Sequence, residues 1–178
     1  MYGGASGFGT VFKVTPSGVE TVLHSFAPNG EDGFYPYGGV ILDSKGNLYG
    51  TTEYGGKTGV GTVFEVTASG TEAILHSFSG GVDGISPYAG LVFDKKDNLY
   101  GTTLYGGSFD LGTVFELTNS GTETILHSFA RNGTDGYFPS AGLSIDKAGN
   151  LYGTTQTGGT ASGTSCSSGC GVVFKIVP

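Results

Sequence analysis

Short apolar runs separated by glycine-rich polar stretches recur along the chain with a period near fifty residues. The clearest marker, Asn-Leu-Tyr-Gly-Thr-Thr, occurs at 47–52, 98–103 and 150–155. A period of this length indicates repeat architecture, in which each repeat is one supersecondary unit that stacks on its neighbours. The sequence therefore predicts a single repeat domain over 1–178. Its repeats span about 9–60, 61–111 and 112–170, followed by an extra strand at 171–176.

Each period contains four segments that predict β-strands, named A to D here. Strand A is an uninterrupted apolar run such as Val40-Ile41-Leu42, which is typical of a strand buried on both faces. Strand B is Leu-Tyr-Gly-Thr-Thr, strand C is Thr-Val-Phe-Lys/Glu-Val, and strand D is Thr-Val-Leu-His-Ser-Phe and its relatives. No segment has helical periodicity over ten residues or more. The chain is predicted to be all-β, in the order C-D, A-B-C-D, A-B-C-D, A-B-C.

Four short antiparallel strands in a repeat of forty to fifty residues are typical of a β-propeller blade. The alternative is a β-trefoil, which also uses three repeats of four strands. Two features favour the propeller: the chain is cut within a repeat with a duplicated C strand, and the apolar strand A suits the crowded inner position of a blade. The predicted fold is a β-propeller of about three four-stranded blades of ~51 residues each, with the β-trefoil as the alternative.

Charge and hydrophobicity exclude two classes of partner. The net charge is −7 and the eight Lys and Arg residues are scattered, whereas nucleic acid binding requires a basic stripe. No run of eighteen apolar residues occurs, so no membrane insertion is predicted. The sequence opens inside a repeat without a recognisable signal peptide or anchor, and we expect any export signal to lie outside it.

Several repeated motifs together resemble a known family. Gly-Asn-Leu-Tyr-Gly-Thr-Thr, Gly-Thr-Val-Phe-Lys-Val, Leu-His-Ser-Phe and the Asp-Gly-x-x-Pro loop resemble the GloVer tandem repeat of large exported proteins with a variable C-terminal anchor. Gly-Gly-Val-Ile-Leu-Asp-Ser-Lys-Gly-Asn-Leu-Tyr also resembles the NHL class of propeller blade. The resemblance implies an extracellular or cell-surface propeller and supplies no catalytic residues. The chain departs from the family in being short and in its insertion at 160–170.

One histidine per repeat falls on the predicted strand D: His24, His76 and His127. Histidine is the commonest metal ligand. In a propeller, however, strand D is outermost, so equivalent residues lie far apart around the rim and cannot share one ion. We interpret these histidines as structural residues, partly buried between blades, and predict no cofactor.

Aspartates also repeat, in two series. Those that begin the A–B turn are explained by Asx-type turns, and they are Asp43, Asp94 and Asp146. Those that precede a glycine in the D–A loop are Asp32, Asp83 and Asp135. The D–A series could bind calcium through oxygen atoms, although no loop has the spacing of a dedicated calcium site and a turn role is the alternative. One acid per repeat does not supply the paired carboxylates of glycoside chemistry, so no enzyme is predicted.

Tyr54 and Tyr105 are each followed by two glycines in the predicted B–C loop. Exposed aromatic rings beside such loops can stack on apolar or sugar faces while the hydroxyl bonds outward, although the lack of tryptophan weakens the sugar hypothesis. In a blade the B–C and D–A loops share one face. Because these loops are long, this face is the candidate binding face. The candidate ligand-binding residues are Tyr54, Tyr105, Asp32, Asp83 and Asp135.

The two cysteines, Cys166 and Cys170, lie in the serine-rich insertion. Two thiols alone cannot complete a structural zinc site. The close pair instead predicts a disulfide formed in an oxidising compartment, which agrees with the exported family. Such a bridge would restrain only its own loop.

Counting blades predicts self-association. A closed propeller needs at least four blades, so three repeats form an open arc with exposed apolar flanks. Two chains would give a six-bladed ring under two-fold symmetry, in which the C strands at 9–14 and 171–176 compete, and a head-to-tail fibre is the alternative.

The predicted function is an extracellular or cell-surface binding or scaffold module, with a glycan as the candidate ligand. The alternatives are a structural repeat of a surface fibre or layer and, less favoured, a propeller lyase or hydrolase.

Overall fold

The computed structural model describes residues 3–160 and 168–178. Within these ranges the regular structure is β-strand except for a 3₁₀ turn at Gly81–Asp83, which confirms the predicted all-β class. Among the described residues, none of the helical structure is long and apolar enough to cross a membrane.

Thirteen strands correspond to the predicted A to D series, and four two-residue strands lie in the connecting loops. In chain order the strands are β1 (Thr10–Val14), β2 (Glu20–Ser25), β3 (Gly33–Phe34), β4 (Ile41–Leu42), β5 (Leu48–Thr52), β6 (Tyr54–Gly55), β7 (Thr62–Val66), β8 (Glu72–Ser77), β9 (Val92–Phe93), β10 (Leu99–Thr103), β11 (Thr113–Leu117), β12 (Glu123–Ser128), β13 (Gly136–Tyr137), β14 (Ser144–Ile145), β15 (Leu151–Thr154), β16 (Thr157–Gly158) and β17 (Val173–Ile176).

The main strands form four antiparallel sheets, numbered 1 to 4 along the chain. Sheets 2 and 3 are complete, with the orders β4-β5-β7-β8 and β9-β10-β11-β12. Sheet 1 contains only β1 and β2, and sheet 4 contains β14-β15-β17. Each complete sheet is therefore an A-B-C-D meander, which is the strand order of a propeller blade, and the predicted succession of strands is confirmed.

Phenylalanine pairs join each sheet to the next. A phenylalanine just after strand D packs edge-on against a phenylalanine of strand C in the following sheet, with ring centroids 5.1 to 5.2 Å apart. The pairs are Phe26–Phe64, Phe78–Phe115 and Phe129–Phe174. All but Phe174 are fully buried, and edge-to-face aromatic pairs add stability beyond their buried area. These pairs form the core of the three joints: joint 1–2, joint 2–3 and joint 3–4.

The glycine of strand B makes room for this core. A Cβ on Gly101 would lie 2.6 Å from the Phe115 ring and 2.8 Å from the Leu91 side chain. The same relation holds between Gly50 and Phe64. The invariant Tyr-Gly-Thr step of the repeat is thus a packing requirement, because any larger residue would displace the ring that joins two sheets.

The A strands of neighbouring sheets converge. A Cβ on Gly38 would lie 2.7 Å from the backbone of Ala89 and Gly90, and the Thr51 hydroxyl donates to the Ala89 carbonyl at 2.9 Å. Strand A is therefore the inner edge of each sheet and strand D the outer edge. The prediction that strand A is buried on both faces is wrong. Leu42 in sheet 2 is 63% exposed, Ser144 in sheet 4 is exposed, and Val92 and Phe93 in sheet 3 are half-buried. In sheet 2 the reason is that sheet 1 contains only β1 and β2, so no A strand of sheet 1 covers β4.

Candidate functional site

The B–C and D–A loops lie on one face and pair with each other. The D–A loop of one repeat bonds to the B–C loop that follows it through β3 with β6 and β13 with β16. Between the two, a single bridge joins Ile85 to Tyr105. The loop face is consequently a set of short ladders rather than free loops, and it can hold side chains in fixed positions.

One residue in each D–A loop, directly before a proline, has a positive φ of 55° to 60°: Tyr35, Ser86 and Phe138. This conformation is unusual for any non-glycine residue and an outlier for a bulky one. In Phe138 the backbone N–H and the carbonyl are both hydrogen-bonded. The N–H donates to the Leu111 carbonyl at 2.9 Å, and the carbonyl accepts from the Gln156 N–H at 3.1 Å. The strain therefore persists because the fold fixes it, which is typical of functional loops.

Aromatic rings cluster on this face around Tyr54, which is 39% exposed. Its ring stacks on Phe34 with centroids 5.8 Å apart and meets Tyr35 edge-on at 6.2 Å. The Glu53 carboxylate raises the pKa of Tyr54, with smaller contributions from burial and from Tyr105 and Tyr35. The Tyr54 hydroxyl therefore remains a hydrogen-bond donor at neutral pH.

A groove of about 670 Å³ opens on the loop face at joint 3–4. Its walls include Tyr105, which is 42% exposed, and Phe109, which is 60% exposed. Phe138 meets the Tyr105 ring edge-on at 5.4 Å. Arg131 lies over the Tyr137 ring, 5.0 Å from its centroid. The groove thus combines exposed aromatic walls with the guanidinium of Arg131, which the Tyr137 ring holds in place by a cation–π contact.

The predicted site residues are only partly brought together. Tyr54 and Tyr105 share the loop face, and Tyr105 lines the groove. The three D–A aspartates face the histidines of strand D instead. Their role in ligand binding stays a prediction. Sequence reasoning missed Phe109 and Arg131, because neither recurs in the other repeats, and it missed Phe138, although Tyr35 occupies the equivalent position.

Each histidine pairs with the aspartate seven or eight residues after it, a spacing visible in the sequence. The His Nε2 to carboxylate distances are 3.5, 3.2 and 3.0 Å for His24–Asp32, His76–Asp83 and His127–Asp135. The histidine side chains are 18% to 33% exposed, consistent with the expected partial burial between sheets. The Asp32 carboxylate raises the pKa of His24.

A glutamate from the next sheet approaches two of these pairs. Glu72 lies beside His24 and Asp32, and Glu123 lies beside His76 and Asp83. Burial raises the pKa of Glu72, and burial followed by the Asp83 charge raises that of Glu123 to about 7. These two groups, called the rim clusters here, lie at the outer edge of joints 1–2 and 2–3. In each of them the glutamate is far in sequence from the histidine and the aspartate, so no local motif reveals the cluster.

The opposite face is made of tight A–B and C–D turns. Asp94 accepts hydrogen bonds from the backbone N–H groups of Lys96 and Asn98 at 2.8 and 2.9 Å, which confirms the predicted Asx-type turn. A groove of about 590 Å³ lies on this face at joint 2–3. Two of its polar wall residues are bonded to each other, since the Tyr49 hydroxyl donates to Glu65 at 2.9 Å.

The predicted disulfide cannot be placed, because Cys166 lies outside the described residues. The bridge between Cys166 and Cys170 therefore stays a prediction.

Comparison with known proteins identifies the repeat. The sequence model of the Gloeobacter/Verrucomicrobia repeat matches residues 1–166, so the chain belongs to that family and the resemblance to the GloVer repeat is confirmed. The NHL-like detail stays a prediction. No curated protein matches the chain. An X-ray structure described as that of a candidate gluconolactonase is similar, with 17% identity and a TM-score of 0.49. The match covers 92% of this chain and 55% of that one, so the chain spans about half of the similar structure.

Proposed function

We propose that this member of the Gloeobacter/Verrucomicrobia repeat family is an extracellular or cell-surface binding module with propeller-like blades, and that it binds a carbohydrate in the groove at joint 3–4. The observation that carries the proposal is the set of exposed side chains that line this groove, Tyr105, Phe109 and Arg131.

The chemistry of the groove favours a sugar. Exposed rings offer flat apolar surfaces to the C–H faces of a sugar. Asn132 and Arg131 offer donors to its hydroxyl groups. Binding sites in general combine apolar walls with a few fixed polar groups. The net charge of −7 disfavours a strongly anionic ligand.

A glycan-array screen followed by titration of the best-binding glycan tests the proposal. Phe109→Ala should lower the affinity for that glycan about tenfold or more, which corresponds to ~1.4 kcal/mol. Thr58→Ala is the matched control, because Thr58 occupies the same loop position at joint 2–3, and it should leave the affinity unchanged. Equal effects of both variants, or an array without any bound glycan, would reject the proposed site.

A structural role in a surface fibre or layer is the second candidate. It is favoured by apolar side chains exposed on the two outermost sheets, including Phe12 at 53% on sheet 1 and Val173 at 79% on sheet 4. Unpaired strand edges with such side chains promote association. A homodimer forming a six-bladed ring, or a fibre, would cover them. Light scattering after size exclusion tests this: a stable monomer of 18.1 kDa would reject both assemblies.

A propeller lyase or hydrolase is not proposed. The described clusters of histidine and acid lie on the outer strand D and its loops, away from the converging A strands. Assays of lactone and glycoside hydrolysis test this conclusion. Turnover by the parent protein that is lost in Tyr105→Ala would overturn it.

A further inference from the structure

The two rim clusters each combine side chains from two sheets. In each cluster the histidine and the aspartate belong to one sheet and its following loop, and the glutamate begins strand D of the next sheet. One nitrogen and two carboxylate oxygens from the three residues lie within 4.8 Å of one another. The clusters are His24–Asp32–Glu72 and His76–Asp83–Glu123. The same geometry therefore occurs twice in one chain.

Several atoms of these clusters are buried without a hydrogen-bond partner. In the first cluster they are His24 Nε2, Asp32 Oδ1 and Glu72 Oε1. In the second cluster Glu123 Oε1 is in the same condition. Buried polar atoms are nearly always paired, and each exception needs an explanation. A hydrogen bond between any two of the three atoms would leave the third without a partner. A single bound cation would satisfy all three at once.

The aspartates are held so that one oxygen faces the histidine. Asp32 Oδ2 accepts the Ala27 N–H at 3.0 Å, and Asp83 Oδ2 accepts both the N–H and, at 2.7 Å, the hydroxyl of Ser79. The Oδ1 atoms are left to face the imidazoles. Supporting hydrogen bonds of this kind orient metal ligands in proteins.

The histidine rings are held in place as well. The His24 ring packs edge-on against Phe26, and the His76 ring packs edge-on against Phe78, both with centroids 4.7 Å apart. These phenylalanines belong to the buried pairs that join the sheets. The imidazole rings are thus packed against the buried core of each joint.

We propose that each rim cluster binds one divalent first-row transition-metal ion, with Zn²⁺ the best fit, and that the ion clamps two neighbouring sheets together. One imidazole nitrogen and two carboxylate oxygens are ligands that zinc accepts at ~2.0–2.2 Å in a tetrahedral arrangement, which places ligand atoms ~3.3–3.6 Å apart. The three ligand atoms of each cluster, which lie within 4.8 Å of one another, would move together by small side-chain rotations when the ion binds. The side chains of His76 and Asp83 are 19% and 16% exposed, which leaves a path for the ion from solvent.

The third histidine–aspartate pair provides a control within the same chain. His127 and Asp135 lie 3.0 Å apart, but no glutamate joins them within the described residues. Both oxygens of Asp135 are also occupied, since Oδ1 accepts the Gly136 N–H and Oδ2 accepts the Ala130 N–H. This pair is not expected to bind zinc with the affinity of the two complete clusters.

Calorimetric titration of the tag-free, EDTA-treated protein with ZnCl₂ tests the proposal. Two zinc ions per chain are expected, falling to one in Glu72→Gln and to none in Glu72→Gln/Glu123→Gln. Glu20→Gln is the matched control, because Glu20 is the equivalent residue of sheet 1, is exposed and belongs to neither cluster; it should retain two ions. Circular dichroism establishes that each variant is folded, and Glu123→Gln alone replaces any variant that is not.

Thermal unfolding gives a second readout. Because an ion that binds only the folded state raises its stability, saturating zinc should raise Tm by several degrees in the parent protein and in Glu20→Gln, but not in the double variant. A parent protein that binds no zinc, or a folded double variant that binds as many ions as the parent, would overturn the proposal.

Discussion

Joint 2–3 and joint 3–4 share one frame but present different loop faces. Their phenylalanine pairs have nearly the same ring separations, 5.2 Å for Phe78–Phe115 and 5.1 Å for Phe129–Phe174. A residue with positive φ precedes the loop proline at both joints. At joint 3–4, however, Phe138 stands where joint 2–3 has Ser86, and Phe109 stands where it has Thr58. Of these two joints, therefore, joint 3–4 has the loop-face groove with aromatic walls.

The difference shows how a repeat can keep its fold and still specialise. The positions that recur fill the joints, fix the turns or bond the loops to each other. Some of the positions that differ, such as Phe109, are exposed on the loop face, where a change of side chain costs little packing energy. Hydrogen bonds fix the strained backbone at the position before the proline. The side chain there can therefore differ between repeats, as Ser86 and Phe138 do, while the path of the chain stays the same. Binding specificity in such a module is therefore expected at the positions that do not repeat.

The largest expected effect concerns the shared frame. Phe115→Ala should lower the free energy of unfolding by about 3–5 kcal/mol, because it leaves a cavity at a fully buried ring. Phe12 occupies the same strand position in sheet 1 but is 53% exposed, so Phe12→Ala should change stability by less than about 0.5 kcal/mol. Urea denaturation of both variants measures the difference. Equal losses would mean that the phenylalanine acts through its strand and not through the joint.

The next effect concerns the space under that ring. Gly101→Ala should destabilise the protein by about 1–3 kcal/mol, because the new methyl group would overlap the Phe115 ring. Gly39→Ala serves as the control, since a Cβ there meets nothing within 4 Å. Thermal unfolding at matched concentration compares the two variants. A tolerated Gly101→Ala would show that the Phe115 ring can move without loosening the joint.

The frame could be predicted from the sequence, and the groove could not. Strand order and the phenylalanine register follow from the repeat, because apolar and β-branched residues recur at the same positions in each period. The aspartate turns follow from local hydrogen bonding. The rim clusters escaped prediction since Glu72 and His24 come from different repeats and meet only when the sheets stack. The groove could not be predicted because Phe109 and Arg131 have no equivalents in the other repeats, so the repeat pattern contains no signal for them.

A smaller effect separates the two exposed tyrosines. Tyr105→Ala should weaken glycan binding about tenfold, because Tyr105 lines the groove, whereas Tyr54→Ala should weaken it less. His76→Ala should leave binding intact and lower stability, since His76 pairs with Asp83 at the rim. Titration and thermal unfolding of the three variants distinguish these outcomes. Loss of binding in a folded His76→Ala protein would mean that the loop face is not the binding face.

The smallest effect isolates the strained residue before the proline. Ser86 and Phe138 both have positive φ, at 55° and 60°, and glycine adopts such values without a steric penalty. Ser86→Gly should therefore keep or raise stability, by no more than about 1 kcal/mol, and leave glycan binding unchanged. Phe138→Gly relieves the same strain but removes the ring that contacts Tyr105. It should weaken binding while the loop ladder stays intact. Hydrogen exchange reports the ladder directly, through the amides of residue 138 and Gln156 in Phe138→Gly and through the equivalent amides of residue 86 and Leu104 in Ser86→Gly. If Phe138→Gly opened the ladder where Ser86→Gly did not, the ring would be a support of the frame, and the division between a constant frame and a variable face would fail at this joint.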